Sequence, residues 1–316
     1  MEEGHHHAHH HHHHHHVAEA AESASLRGIY LVSITLNLAF VFVEAGIGLW
    51  KGSLGLLSDA GHNLSDVFSL VLALIAFRLA STHSTKRFTY GYRKGSILIS
   101  LLNAVILLVA VGAILVESFH KLFNPQALDG KAVAWTAGIG ILINGLTAFL
   151  LMKHQKHDIN TRGAFLHMAA DTLVSVGVVI SGIVIAMTGW TVIDPVIGIC
   201  IALVILVSTW KLLAESVRMS MDAVPEDIDA DAVKQKMEST AGVSSVHHLH
   251  IWPISTTETA LTAHVVVQPA SDPETAVREI KRELRGMGIL HATLETETKD
   301  HPCTDGEDGC HGADGH

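Results

Sequence analysis

Ala60-Gly61-His62-Asn63-Leu64-Ser65-Asp66 lies inside a long apolar run, and its reading decides the fold. An apolar run of this length is the mark of a membrane helix. His62 and Asp66 are four residues apart, so in a helix they share one face, one turn from each other. A charged side chain at mid-bilayer depth costs roughly 2.5–3.5 kcal/mol on insertion scales, so the pair needs a reason to be there.

The same spelling returns in Phe165-Leu166-His167-Met168-Ala169-Ala170-Asp171, again opening an apolar run. Together His62, Asp66, His167 and Asp171 offer two imidazoles and two carboxylates. That set completes a tetrahedral shell for a divalent metal, with Zn2+ the first candidate. With both carboxylates ionised and both imidazoles neutral, the shell carries two negative charges, which one divalent cation or two protons can neutralise. Histidine must also be deprotonated to bind metal, so H+ and metal compete for one place.

Composition agrees with a membrane protein. Of 316 residues 48% are hydrophobic and only 16% charged, against about 25% charged in soluble domains. The formal charge of -10 gives no sign of nucleic-acid binding. Three cysteines, Cys200, Cys303 and Cys310, do not make a disulfide scaffold. No cleavable signal peptide is expected, because the N-terminus is polar and histidine-rich. Its tract from His5 to His16, interrupted by Ala8, reads either as a purification tag or as a weak metal collector. In both cases residues 1–25 are expected to be a disordered tail.

Six apolar spans follow, at about Leu26–Trp50, Leu54–Leu79, Ser96–Phe119, Ala132–Met152, Ala164–Met187 and Val192–Leu213. Each can cross a hydrocarbon core of ~30 Å as a helix. Arg78, Lys86, Arg87, Arg93 and Lys94 lie between spans two and three; Lys153, Lys156 and Arg162 lie between four and five; Lys211 and Arg218 follow span six. The opposite loops hold only Lys51, Lys121 and Lys131. The asymmetry predicts that both termini are cytoplasmic, and a multi-pass protein of the cell's inner (plasma) membrane is expected. Asn37, Glu44, Asn63, Asn103, Glu117 and Asn144 fall within the spans, the asparagines reading as interhelical hydrogen-bonding groups.

The composition turns soluble near Val224. A helix is expected from Pro225 to about Thr240, then alternating strands at Val246–Ile254 and Thr257–Gln268. Ser271-Asp272-Pro273-Glu274 starts a second helix running to Arg285, and Ile289–Thr298 makes a third strand. The order α-β-β-α-β predicts a small ferredoxin-like α+β domain. The expected organisation is a six-helix transmembrane domain over 26–218, a soluble domain over 219–300 and a flexible tail over 301–316.

Six spans, His-x-x-x-Asp in the second and fifth, Ser58-Asp59-Ala60-Gly61-His62-Asn63-Leu64-Ser65-Asp66, and Val246-His247-His248-Leu249-His250-Ile251-Trp252 in the soluble domain together resemble the cation diffusion facilitator family, and within it the zinc-transporting branch. The likeness covers residues 25–300. It implies a homodimeric transporter, not an enzyme, that exports Zn2+ from the cytoplasm in exchange for H+.

In the soluble domain His248 and His250 share one strand face at period two. The resemblance implies that His250, His264, His291 and Glu297 bind regulatory Zn2+ at the dimer interface. Unliganded strand histidines are common, and His247 and His248 admit that reading too. Cys303, Cys310 and His311 resemble a tail that adds thiolate ligands in some relatives. Relatives with a further zinc in the loop after span two use Asp and His there. This chain has His83 and then a basic run, so no full site is expected in that loop. Its lysines and arginines, Lys94 among them, are expected to face membrane lipid phosphates or to pair with Asp222 at the neck of the soluble domain.

Other readings stay open. Cd2+, Co2+, Ni2+, Fe2+ or Mn2+ could be cargo, although imidazoles disfavour Mn2+. An intramembrane metalloenzyme would keep an open water position and a base such as His-Glu-x-x-His, which the sequence lacks. A metal-sensing scaffold would need the histidines of the soluble domain alone.

Overall fold

Continuous apolar segments become helices because a bilayer leaves backbone groups no other partner. The computed structural model describes residues 13–51, 54–123, 130–156, 158–190 and 192–298, the side chains of 13–23, 48, 51, 54–59, 62, 130–137 and 186 excepted. Six long helices come first: α1 His13–Lys51, α2 Leu54–Ala80, α3 Lys94–Phe123, α4 Gly130–Met152, α5 Ile159–Thr188 and α6 Ile193–Ser220. Five contain a stretch long and apolar enough to cross a membrane, and the described apolar part of α4 is Gly138–Met152. Large apolar side chains such as Phe42, Val109, Leu142, Phe149 and Val204 point outward, as lipid-facing positions do.

The tail expectation needs a correction at its C-terminal half. Helix α1 starts at His13, not near residue 26. Ala18-Glu19-Ala20-Ala21-Glu22 are strong helix formers and extend the first span's helix backward. Residues 1–12 and 301–316 lie outside the described residues.

Contacts divide the chain into one unit of residues 1–75 and 105–209 and a second of residues 76–104 and 210–316. The division falls within α2, α3 and α6. In the first unit, neutral polar groups tie helices together: Tyr30 Oη lies 2.9 Å from Thr161 Oγ1, and Asn37 donates to Thr147 Oγ1 at 3.3 Å. Val111, Ala170, Ala202 and Ile205 form an apolar cluster shared by α3, α5 and α6. Small residues permit these approaches, since a Cβ on Gly177 would meet Ile201 at 2.6 Å. Helix α5 is capped by Asp158, which accepts from the amides of Asn160 and Thr161.

The second unit holds α7 Ala230–Glu238, β1 Val243–Pro253, β2 Thr259–Val267, α8 Pro273–Gly286 and β3 Ile289–Glu297. This is the expected α-β-β-α-β order. The sheet runs β1-β2-β3, with β1 antiparallel and β3 parallel to β2. One face packs Val246, Ile251, Leu261, Val265 and Ile289 onto Val233, Met237, Ile280 and Leu284 of the helices. Val246 and Ile251 are five apart yet both point into that core, which an unbroken strand forbids. A bulge between His247 and His250, with His248 at φ 49°, restores the alternation.

The loop after α2 closes tightly in the same unit. Gly91 has φ 68°, and a Cβ there would meet the Thr82 carbonyl oxygen at 2.8 Å, so the turn requires glycine. Beyond it, Arg93 pairs with Glu258 and Lys94 with Asp222, while the Thr256 amide donates to Ser96 Oγ at 3.2 Å. Lys94 and Asp222 are both substantially exposed, so their pair adds little stability by itself.

Candidate metal centre

Helices α2 and α5 bring the two His-x-x-x-Asp motifs face to face. His167 Nε2 lies 2.9 Å from Asp66 Oδ1 across the helix pair, and 3.6 Å from Asp171 Oδ2 one turn along its own helix. Asp66 is fully buried, and His167 and Asp171 are 4% and 8% exposed. One ligand atom from each of the three lies within 4.8 Å of the other two, which is the spacing a metal ion can bridge. His62 occupies α2 one turn before Asp66, while its side chain lies outside the described residues.

The chemistry follows from the donor set. Three buried N and O donors suit a borderline divalent cation. His167 Nε2 bonds Asp66 and faces Asp171, so a metal taken by these three groups competes with any proton held between them.

A second group forms on the sheet face turned away from α7 and α8. His247 stands opposite His264 in the β1–β2 ladder, their ring centroids 5.4 Å apart. His264 Nδ1 lies 2.6 Å from Glu297 Oε1, and His247 Nε2 lies 3.4 Å from Glu297 Oε2. Ligand atoms of His247, His264 and Glu297 fall within 4.8 Å of one another. The His248 ring lies tilted against that of His264, centroids 4.9 Å apart, and its Nε2 is buried with no hydrogen-bond partner among the described residues. An orphaned buried nitrogen beside three donors fits a four-coordinate ion.

Not all of the anticipated ligands gather there. His250, opposite Thr262, is exposed and lies 6.4 Å in ring centroid from His248, outside the three-residue group. His291 is at the other end of β3 from Glu297, about 20 Å away at the strand rise. There its Nε2 faces Glu258 at 3.4 Å, and its ring meets Tyr90 edge-on. His247 stands in regular register opposite His264, one residue after core-facing Val246, and the bulge that follows brings His248 beside His264 and leaves His250 outside. His83 is exposed in the loop after α2. Cys303, Cys310 and His311 lie outside the described residues.

Comparison with known proteins agrees with this arrangement of helices and domain. Residues 30–219 match the family described as cation efflux transmembrane domain, and residues 225–294 match the cation efflux protein, cytoplasmic domain. The chain is 35% identical over 278 residues to the cadmium, cobalt and zinc/H(+)-K(+) antiporter of Bacillus subtilis, covering 86% of this chain and 89% of that protein. It is 35% identical over 274 residues to the metal cation efflux system protein CzcD of Cupriavidus metallidurans, with 86% of each covered. Zinc transporter ZitB of Escherichia coli is 33% identical over 290 residues, 90% of this chain and 89% of the relative. With family matches across both its parts, the chain belongs to the cation efflux family, the cation diffusion facilitators, and is a multi-pass membrane transporter of metal cations rather than an enzyme.

Proposed function

We propose that the protein is a zinc/proton antiporter that exports Zn2+ from the cytoplasm through His62, Asp66, His167 and Asp171. The observation that carries the reading is the contact of His167 Nε2 with Asp66 Oδ1 at 2.9 Å, with Asp171 within reach, in a buried setting. Two facing carboxylates deep in a bilayer require a cation or protons, and alternating the two keeps the site near neutral through a transport cycle. The name of the Bacillus subtilis relative, an antiporter for cadmium, cobalt and zinc, supports proton coupling and a cargo range wider than zinc.

The protein works as a homodimer in the plasma membrane with both termini cytoplasmic, its membrane domain spanning 26–218 and its soluble domain 219–300. The matched cytoplasmic domain and the Lys and Arg asymmetry support this. Zinc bound by His247, His248, His264 and Glu297 modulates transport from the soluble domain. His250, His291 and the tail residues Cys303, Cys310 and His311 remain candidates for the same ion or its counterpart on a second copy.

Flux into sealed vesicles tests the reading. An imposed proton gradient should drive Zn2+ uptake by the wild type, and Asp66→Ala or Asp171→Ala should abolish it while the protein stays dimeric by size exclusion. Wild-type flux in either variant would overturn the site assignment.

A further inference from the structure

The bundle contains a buried carboxylate outside this ligand set. Glu44 of α1 is 4% exposed, and its Oε2 accepts a hydrogen bond of 2.6 Å from Nδ2 of Asn63 on α2, itself 8% exposed. Holding helices together does not need such a group: Tyr30 with Thr161 and Asn37 with Thr147 tie α1 to its neighbours through neutral side chains. An ionisable group within a membrane span is expensive, and such residues mark ion pathways.

Its position gives it a direction. Asn63 precedes Asp66 by three residues and follows His62 by one, which sets the Glu44–Asn63 pair about 4.5 Å from Asp66 along α2 toward the α1–α2 turn, level with His62 at the outer rim of the site. In the topology proposed above, that turn faces the outside. We propose that Glu44, with the Asn63 amide, is an oxygen-only relay at the outer rim of the metal site that a divalent cation visits on its way from Asp66, His167 and Asp171 to the outer face. Rotating the Asn63 amide exchanges its N–H for Oδ1, so a cation meets a carboxylate and an amide oxygen. Oxygen donors hold a borderline metal less firmly than imidazole does, and a stop on an exit path must bind weakly enough to release.

This inference rests on the antiporter reading, and its test separates the two. Full-length Glu44→Gln and Glu44→Asp are reconstituted in vesicles, and Zn2+ turnover and equilibrium Zn2+ binding are both measured. Glu44→Gln is expected to lower turnover about 10–100-fold, the scale of groups that support a metal site. Equilibrium binding should stay near wild type, and Glu44→Asp should recover part of the turnover. Wild-type turnover in Glu44→Gln overturns the relay. So does a parallel loss of equilibrium binding, which would make Glu44 a ligand or a fold element. If Glu44→Gln does not assemble, Glu44→Asp decides: reduced turnover with intact binding supports the relay, and unchanged turnover overturns it. Failure of the antiporter reading looks different, as Asp66→Ala would then keep Zn2+ flux whatever residue occupies position 44.

Discussion

Glu297 on β3 reaches diagonally back to His264 on β2, with Oε1 and Nδ1 2.6 Å apart, although the direct cross-strand neighbour of His264 is Glu295. The bond leaves Glu297 almost buried and able to offer its second oxygen to His247. These two residues are the centre of the candidate metal group in the soluble domain.

Glu297→Ala should therefore weaken Zn2+ binding to that domain by about tenfold or more, as loss of an oriented carboxylate at a metal site does. His291→Ala, which alters a residue facing Glu258, should leave the affinity of one protomer within about twofold of wild type. Titration of full-length protein carrying Asp66→Ala, which isolates the soluble-domain sites, checks both. Equal losses would mean that His291 joins the cluster in the assembled dimer.

Zinc entering the membrane site should release protons, because Asp66, His167 and Asp171 bind metal only after giving up the protons that neutralise them in the empty site. Calorimetry in buffers of different ionisation enthalpy should give heats that vary with the buffer. Binding should weaken as pH falls through the histidine range. Heat independent of buffer would argue against exchange.

His167→Asp should shift transport from zinc toward cadmium and manganese, changing the cadmium-to-zinc ratio by about tenfold, one imidazole's worth of preference. A carboxylate can bind through one or two oxygens and accepts a larger ion with more ligands. Uptake of the three metals into vesicles measures this. An unchanged ratio removes imidazole as the selector.

Helix α8 carries a pH-sensitive cap. Asp272 accepts from Thr275 Oγ1 and from the amides of Glu274 and Thr275, and its carboxyl pKa is lowered chiefly by the Thr275 hydroxyl. Because the folded pKa lies below the unfolded one, the cap stabilises at pH above the usual carboxylate range, and this is lost as pH falls through the folded value. Asp272→Ala should lower the melting temperature of the soluble domain by a few degrees at neutral pH, as loss of a cap does. The gap from wild type should narrow below about pH 4, near the ordinary carboxylate pKa. Thermal melts across pH by circular dichroism would show a constant gap if the cap were not ionic.

Periodicity alone determined a great deal. Apolar runs interrupted by His62, Asp66, His167 and Asp171 define membrane helices with ligand-bearing faces, since i, i+4 spacing is a local geometric fact. The α-β-β-α-β order was equally legible, because strand alternation and the Asp272-Pro273 helix start are local signals. Tertiary structure decided what depends on distant partners. It set His167 of α5 against Asp66 of α2, 101 residues away along the chain. It also gave Glu44 a partner in Asn63, where the sequence shows only a carboxylate within an apolar span. The histidines of β1 show the physical limit most plainly. Assigning strand faces by period two assumes an unbroken ladder, and the bulge at His248 shifts that count by one residue. It brings His248 beside His264, leaves His250 exposed, and depends on the packing of Val246 and Ile251 into one core, which no local pattern around the histidines records.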